Sequence, residues 1–209
     1  LDRIRAGVEA VLAAESQPRA RLRVTVTGGP APFGSDRGDS PPTVIIATAP
    51  LAEWPATADV VVVPWTRNER AATAGLKTTS YADNVVALRY AHERDAAEAI
   101  FANTRGELCE GTGSNVFVGI GGALLTPPLD SGCLSGITRD LIVEWLGNVH
   151  ERALPISALA TADEAFLAST TRDVQPIRAV DGRILPAAPG PLTQHASEVF
   201  AARSEEGDL

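Results

Sequence analysis

The stretch EAIFANTRGELCEGTGSNVFVGI, residues 98–120, decides the fold. EAIFAN (98–103) is short and apolar and runs into a turn, as a buried strand does. NTRG (103–106) reads as a tight turn, ELCE (107–110) as a short strand and NVFVGI (115–120) as another. Between the last two lies a Gly-rich bend with Glu110 at its threshold. This bend is not a dinucleotide fingerprint, because Gly111 and Gly113 lack the third glycine and no long helix follows.

Outward from this region the chain mixes helices and strands. Leu1, Ile4, Val8, Val11 and Leu12 have helical spacing over 1–15. RLRVTVT (21–27) and TVIIATA (43–49) read as strands around a Gly/Pro-rich loop at 28–42. PLAEWPATA (50–58) has two prolines and no periodic pattern, as a linker does. DVVVVPW (59–65) is a buried-type strand. A helix is predicted over 81–96, with Val85, Leu88 and His92 on related faces. Helices over 135–146 and 191–206 bracket a strand at 164–170. The pattern is α+β, without internal repeats or low-complexity tracts.

Composition narrows the function classes. The 209 residues suffice for one sizeable core or two modest domains. Hydrophobic residues make up 44% and charged residues 21%, the proportions of a globular protein. A net charge of −8 disfavours general nucleic-acid binding. No apolar run reaches the ~20 residues of a membrane-spanning helix. Cys109 and Cys133 form no CxxC motif and read as reduced thiols of a cytoplasmic protein, with a disulfide between them left open. His92, His150 and His195 are scattered, which argues against a metal site or a Ser-His-Asp triad. The chain starts at Leu1 and has no methionine, so it reads as a fragment, a processed form or the ordered part of a longer protein.

Lys77 is the single lysine; the other 17 of the 18 basic residues are arginine. It lies among small and apolar neighbours in AATAGLKTTSY. A lysine amine can become a nucleophile and form a Schiff base, which arginine cannot. A biased codon usage would also leave one lysine by chance. Three later segments bear on that choice. Glu110 in CEGTGSNVF (109–117) could hold a ring nitrogen protonated, or be a surface glutamate before a turn. Ser135, Gly136 and Thr138 in LSGITRD (134–140) lie where a loop becomes a helix, which suits a phosphate or simple capping. ASTTRDVQP (168–176) ends an apolar strand with three hydroxyl residues, which suits an anion or a turn. An amine, an acid and two phosphate-friendly loop ends form the inventory that pyridoxal 5'-phosphate requires.

With KTTSYADNVVAL, EAIFANTRGELCEGTGSNVFVGI, LSGITRDLIVEWL and ADEAFLASTTRDVQPI in this order, the chain resembles the class IV aminotransferases, the fold-type IV pyridoxal-phosphate enzymes. That family includes branched-chain and D-amino-acid aminotransferases and aminodeoxychorismate lyase. The resemblance covers about residues 60–178, and VIIA and PWTRN upstream also fit. It implies a two-domain α+β fold: 1–49 as the rest of a small N-terminal domain whose first part is missing, 50–58 as linker and 59–209 as the large cofactor domain. It implies Lys77 as the Schiff-base lysine and proton shuttle, Glu110 at the pyridine nitrogen and Tyr81 at the phenolic oxygen. Gly136, Ile137, Thr138 and Thr170 would hold the phosphate, with Ser169 and Thr171 nearer the substrate and Asn115 supporting the Glu110 loop. It also implies a homodimer acting on a small amino substrate.

Two reactions fit that machinery. KTTSYADN leans towards the lyase, which converts 4-amino-4-deoxychorismate to 4-aminobenzoate and pyruvate for folate synthesis. EGTGSNVF and GITRD resemble the branched-chain transaminases equally well. A non-catalytic α+β assembly domain is the alternative from another class.

Overall fold

The computed structural model describes residues 1–206. The chain divides into two compact units, Leu1–Glu53 and a larger one from Trp54 onward. The linker expected at 50–58 overlaps the end of one strand, Pro50, and the start of another, Ala58. Gly207 to Leu209, the end of the large domain expected at 59–209, lie outside the described residues.

The first unit is a helix, α1 (Asp2–Ala14), and a two-stranded antiparallel sheet of β1 (Ala20–Thr27) and β2 (Thr43–Pro50). Ile4, Val8 and Val11 of the expected apolar stripe are half-buried, whereas Leu1 and Leu12 point to solvent. α1 lies close to β2: a side chain at Gly7 would meet the Ile46 Cδ1 at 2.5 Å.

The second unit is built on a mixed sheet of nine strands among the described residues. β3 (Ala58–Arg67) and β4 (Glu98–Asn103) run parallel, joined through α2 (Ala82–His92). β5 (Leu108–Gly111) turns back on β4, and β6 (Asn115–Ile120) pairs antiparallel with β7 (Ala123–Thr126). From β7 the chain passes through α3 (Ile137–Leu146) to a parallel β8 (Val149–Glu151), a second crossover unit. β9 (Glu164–Ser169), β10 (Asp173–Val180) and β11 (Arg183–Ile184) complete the sheet before α4 (Pro191–Glu205). The lateral order is β5-β4-β3-β10-β9-β6-β7-β8, with β11 beside β10.

β10 was not legible, because QPI places a proline inside it and proline cannot donate to a ladder. The structure resolves this by dividing the strand's duties. Residues 173–176 pair antiparallel with β9, and 177–180 pair parallel with β3 across a register shift between Ile177 and Ala179. Pro176 sits at the changeover.

Buried side chains fill both faces of the sheet. Val60, Ile100, Leu108, Val118, Leu159 and Ile177 form the largest cluster. Phe117 and Phe166 stack at 4.6 Å between centroids beneath α3 and α4, with Ile142 and Phe200 around them. α2 corrects its predicted face. Asn84, Ala87 and Ala91 turn inward, whereas Val85 and Val86 are 64% and 52% exposed and His92 is exposed. Small alanines let the helix approach Val61, Val63 and Phe101 closely. Glu164, 3% exposed, accepts the Leu192 and Thr193 amides at 3.1 and 2.7 Å. A carboxylate there satisfies orphan donors at the start of α4 and suits the helix dipole. Cys109 and Cys133 are free and buried. None of the described helices is long and apolar enough to cross a membrane.

Candidate active site

β5 carries Glu110 inward as its third residue, and the tight bend after it returns the chain into β6. The carboxylate is only 6% exposed. Its Oε2 accepts the Leu134 amide at 2.9 Å, and its Oε1 lies 3.2 Å from Arg67 Nε. Burial pushes the Glu110 carboxyl above the usual carboxylate range, and the Leu134 N–H and the charges of Arg67 and Lys77 pull it back. Arg67 ends β3, donates to Asn84 Oδ1 at 2.9 Å and lies over the Phe101 ring at 4.4 Å.

Lys77 stands in the loop between β3 and α2, at the mouth of a cavity of about 290 Å³. Its amine donates to the Tyr81 hydroxyl at 2.9 Å. The loop before it is pinned by Glu69, whose carboxylate accepts the Thr104 amide at 3.0 Å and hydroxyl at 2.7 Å. Those bonds hold the Glu69 carboxyl down at about 2. Gly132 is needed beside it: φ is +92° and an added Cβ would lie 2.9 Å from Glu69 Cα.

The opposite wall is the start of α3. Gly136 occupies the N-cap position, and no side chain caps the helix. Ser135, a candidate cap, donates instead to Asp140 at 2.6 Å. The first backbone N–H groups of the helix are therefore available to an anion. Asn115 Nδ2 donates to the Leu134 carbonyl at 2.8 Å, and a Cβ on Gly136 would meet Asn115 Oδ1 at 2.1 Å. Asn115 thus shapes the 134–136 turn, beyond the expected support of the Glu110 loop.

Lys77, Tyr81, Glu110, Gly136, Ile137, Thr138, Ser169 and Thr170 all line this one cavity, together with the Gly111–Ser114 bend. Thr171 follows Thr170 and is half-buried outside that lining. The donor set fits pyridoxal 5'-phosphate: an amine at the mouth, a buried carboxylate, and hydroxyl and amide donors around an uncapped helix start. Sequence reading missed Arg67, although PWTRN displayed an arginine at the end of a strand. It also missed Asn84, Glu98 and Arg172, which no local pattern marks.

Residues 1–180 match the family profile described as Amino-transferase class IV. The chain is 33% identical over 149 residues to the branched-chain-amino-acid aminotransferase of Escherichia coli, covering 68% of this chain and 48% of that protein. A structure of the branched-chain amino acid aminotransferase of Thermobaculum terrenum in its PLP form superposes with a TM-score of 0.84. Its identity is 30%, over 95% of this chain and 68% of that one. A provisionally named 4-amino-4-deoxychorismate lyase from Legionella pneumophila gives a TM-score of 0.87 over 95% of this chain and 75% of that one. At 22% identity it speaks for the fold alone. The chain spans about half the length of the curated relatives it matches.

Proposed function

Because this chain belongs to the class IV amino-transferases, whose members use pyridoxal 5'-phosphate, we propose that it moves an amino group between a small amino acid of the branched-chain class and a keto acid. The observation that carries this reading is the amine of the single lysine, bonded to Tyr81 at the mouth of a cavity that also holds the buried Glu110 carboxylate. When bound, pyridoxal 5'-phosphate supplies an electron sink for the bonding pair released at the substrate α-carbon. Lys77 provides the amine for covalent attachment and, once displaced by substrate, takes and returns the α-proton at Nζ. The Tyr81 hydroxyl orients that amine. Glu110, paired with Arg67, would hold the proton of a ring nitrogen. The Gly136–Thr138 turn and Ser169–Thr170 receive the anionic tail, with Thr171 nearer the substrate.

The lyase reading has one observation in its favour, the hydroxyl-rich Thr78–Tyr81 segment directly after Lys77. Amino transfer is preferred because the relatives at 30% identity and above carry transaminase names. We place the enzyme in the cytoplasm as a homodimer, and the exposed Val85 and Val86 on α2 support such pairing. A substrate panel tests the reading. Leucine or D-alanine with a keto-acid acceptor should give amino exchange. Pyruvate release from aminodeoxychorismate without any keto acid would move the assignment to the lyase. The purified protein should also show a visible band that borohydride bleaches and that Lys77→Ala abolishes. A colourless protein that takes up no pyridoxal phosphate would leave the non-catalytic reading.

A further inference from the structure

We infer that the buried Glu98–Arg172 ion pair is a positioning device for the anion-binding side of the cavity, fixing the Gly111–Ser114 bend against the Ser169–Arg172 turn. The inference rests on the pyridoxal-phosphate reading above and names two residues outside the cavity lining.

Glu98 opens β4 and is 1% exposed. Its Oε1 accepts the Thr112 amide at 3.1 Å, the Thr112 hydroxyl and the Ala99 amide at 3.2 Å. Its Oε2 accepts the Ser114 hydroxyl at 3.3 Å and lies 3.1 Å from Arg172 Nη2. One carboxylate thereby holds two residues of the bend that lines the cavity. Arg172 holds the other side. Its amide closes the turn by donating to the Ser169 carbonyl at 3.0 Å, directly beneath Ser169 and Thr170. Its side chain is 6% exposed, lies over the Trp54 ring at 3.8 Å and donates to Gln175, which in turn donates to the Pro55 carbonyl at 2.7 Å.

The network continues to the floor of the site. The Thr112 carbonyl accepts from Asn84 at 2.6 Å, Asn84 accepts from Arg67, and Arg67 pairs with Glu110. One polar chain therefore runs from the hydroxyl turn after β9 to the carboxylate on β5. Stability alone does not call for it: removing two charges from water is costly, and apolar replacements of a buried pair are often as stable. What an apolar pair cannot do is set the angle of two turns through directed bonds. The turns so held are those that offer Ser169 and Thr170 to an anion. The pair therefore governs the grip on a phosphate monoester and leaves the chemistry at Lys77 to other groups.

The test uses the full chain and two ligands, pyridoxal 5'-phosphate and pyridoxal, which lacks the phosphate. Their dissociation constants are read from the visible absorbance of the bound forms in wild type, Arg172→Met and Glu98→Gln/Arg172→Met. Arg172→Met should weaken pyridoxal 5'-phosphate at least tenfold while changing pyridoxal less than twofold. The double variant should recover part of the loss, because no unpaired carboxylate is left behind. Equal losses for both ligands, or none, overturn the inference. Should Arg172→Met fail to fold, Trp54→Leu, at a side chain 39% exposed, decides instead: the ratio of the two constants should move about threefold the same way, and an unmoved ratio overturns it. A wild type that binds neither ligand refutes the cofactor reading and the inference with it. A wild type that binds pyridoxal 5'-phosphate, with variants of unchanged ratio, refutes the inference alone.

Discussion

Replacing Arg67 by methionine removes the cation beside Glu110 while leaving an apolar stem over Phe101. At 3.2 Å, with an effective dielectric near 20, the pair's gross attraction is about 5 kcal/mol. Arg67 is 22% exposed, and the Leu134 amide still serves the Glu110 carboxylate. Removing one partner of a fully buried pair costs ~3–5 kcal/mol, and partial exposure brings the expected loss here to ~2–3 kcal/mol. That corresponds to a fall of about 5–10 °C in Tm. The pH dependence identifies the cause. Burial already holds the Glu110 carboxyl above the usual carboxylate range, and losing Arg67 raises it further. An acid whose folded pKa exceeds its unfolded pKa destabilises the fold as pH rises between the two values. The deficit relative to wild type should therefore be full where Glu110 is ionised in both proteins and shrink as pH falls through the range in which Glu110 takes up its proton. Thermal melts of both proteins across that range measure it. A deficit that stays constant with pH would refute the charge-pair argument and leave only lost packing.

Two further outcomes follow from the packing and from the loop that carries Lys77. Phe166→Ala removes one ring of the fully buried Phe117–Phe166 stack and should cost ~3–5 kcal/mol in chemical denaturation; a loss below ~1 kcal/mol would mean that the neighbourhood collapses into the space. Glu69 titrates at about 2 rather than 4.5 in the fold, so its contribution is present above 4.5 and is lost as pH falls towards about 2. Glu69→Gln should destabilise the protein at neutral pH and flatten the acid-unfolding curve in that window, whereas parallel curves would contradict its role as an anchor.

The local chemistry of the site was legible in the sequence because each part announces itself over a few residues. A lone lysine, a carboxylate before a Gly-rich bend, a Ser-Gly helix start and a hydroxyl triplet are short patterns. What joins them was not legible. Glu98 and Arg172 are 74 residues apart, and each alone reads as an ordinary charge. Arg67 was hidden for the same reason, since its partners Asn84 and Glu110 lie on other elements. The inward face of α2 was misread because valines outrank alanines in hydropathy, whereas close packing against β3 and β4 required the smaller side chain. β10 escaped because Pro176 breaks the pattern of a central strand, and only the change of partners at that residue explains how a sheet can hold it.

That change of partners bears on how the cavity can breathe. One continuous backbone, 173–180, is laced to β9 on one side and to β3 on the other. The two flanks of the cleft, one behind Ser169 and the other behind Lys77 and Glu110, are thus sewn together by a single thread. Prying them apart would require unzipping that thread, so its amide protons belong with the slowest to exchange with solvent. On the 68–81 side the cavity is lined instead by Gly75, Lys77 and Tyr81, which no strand pairing holds.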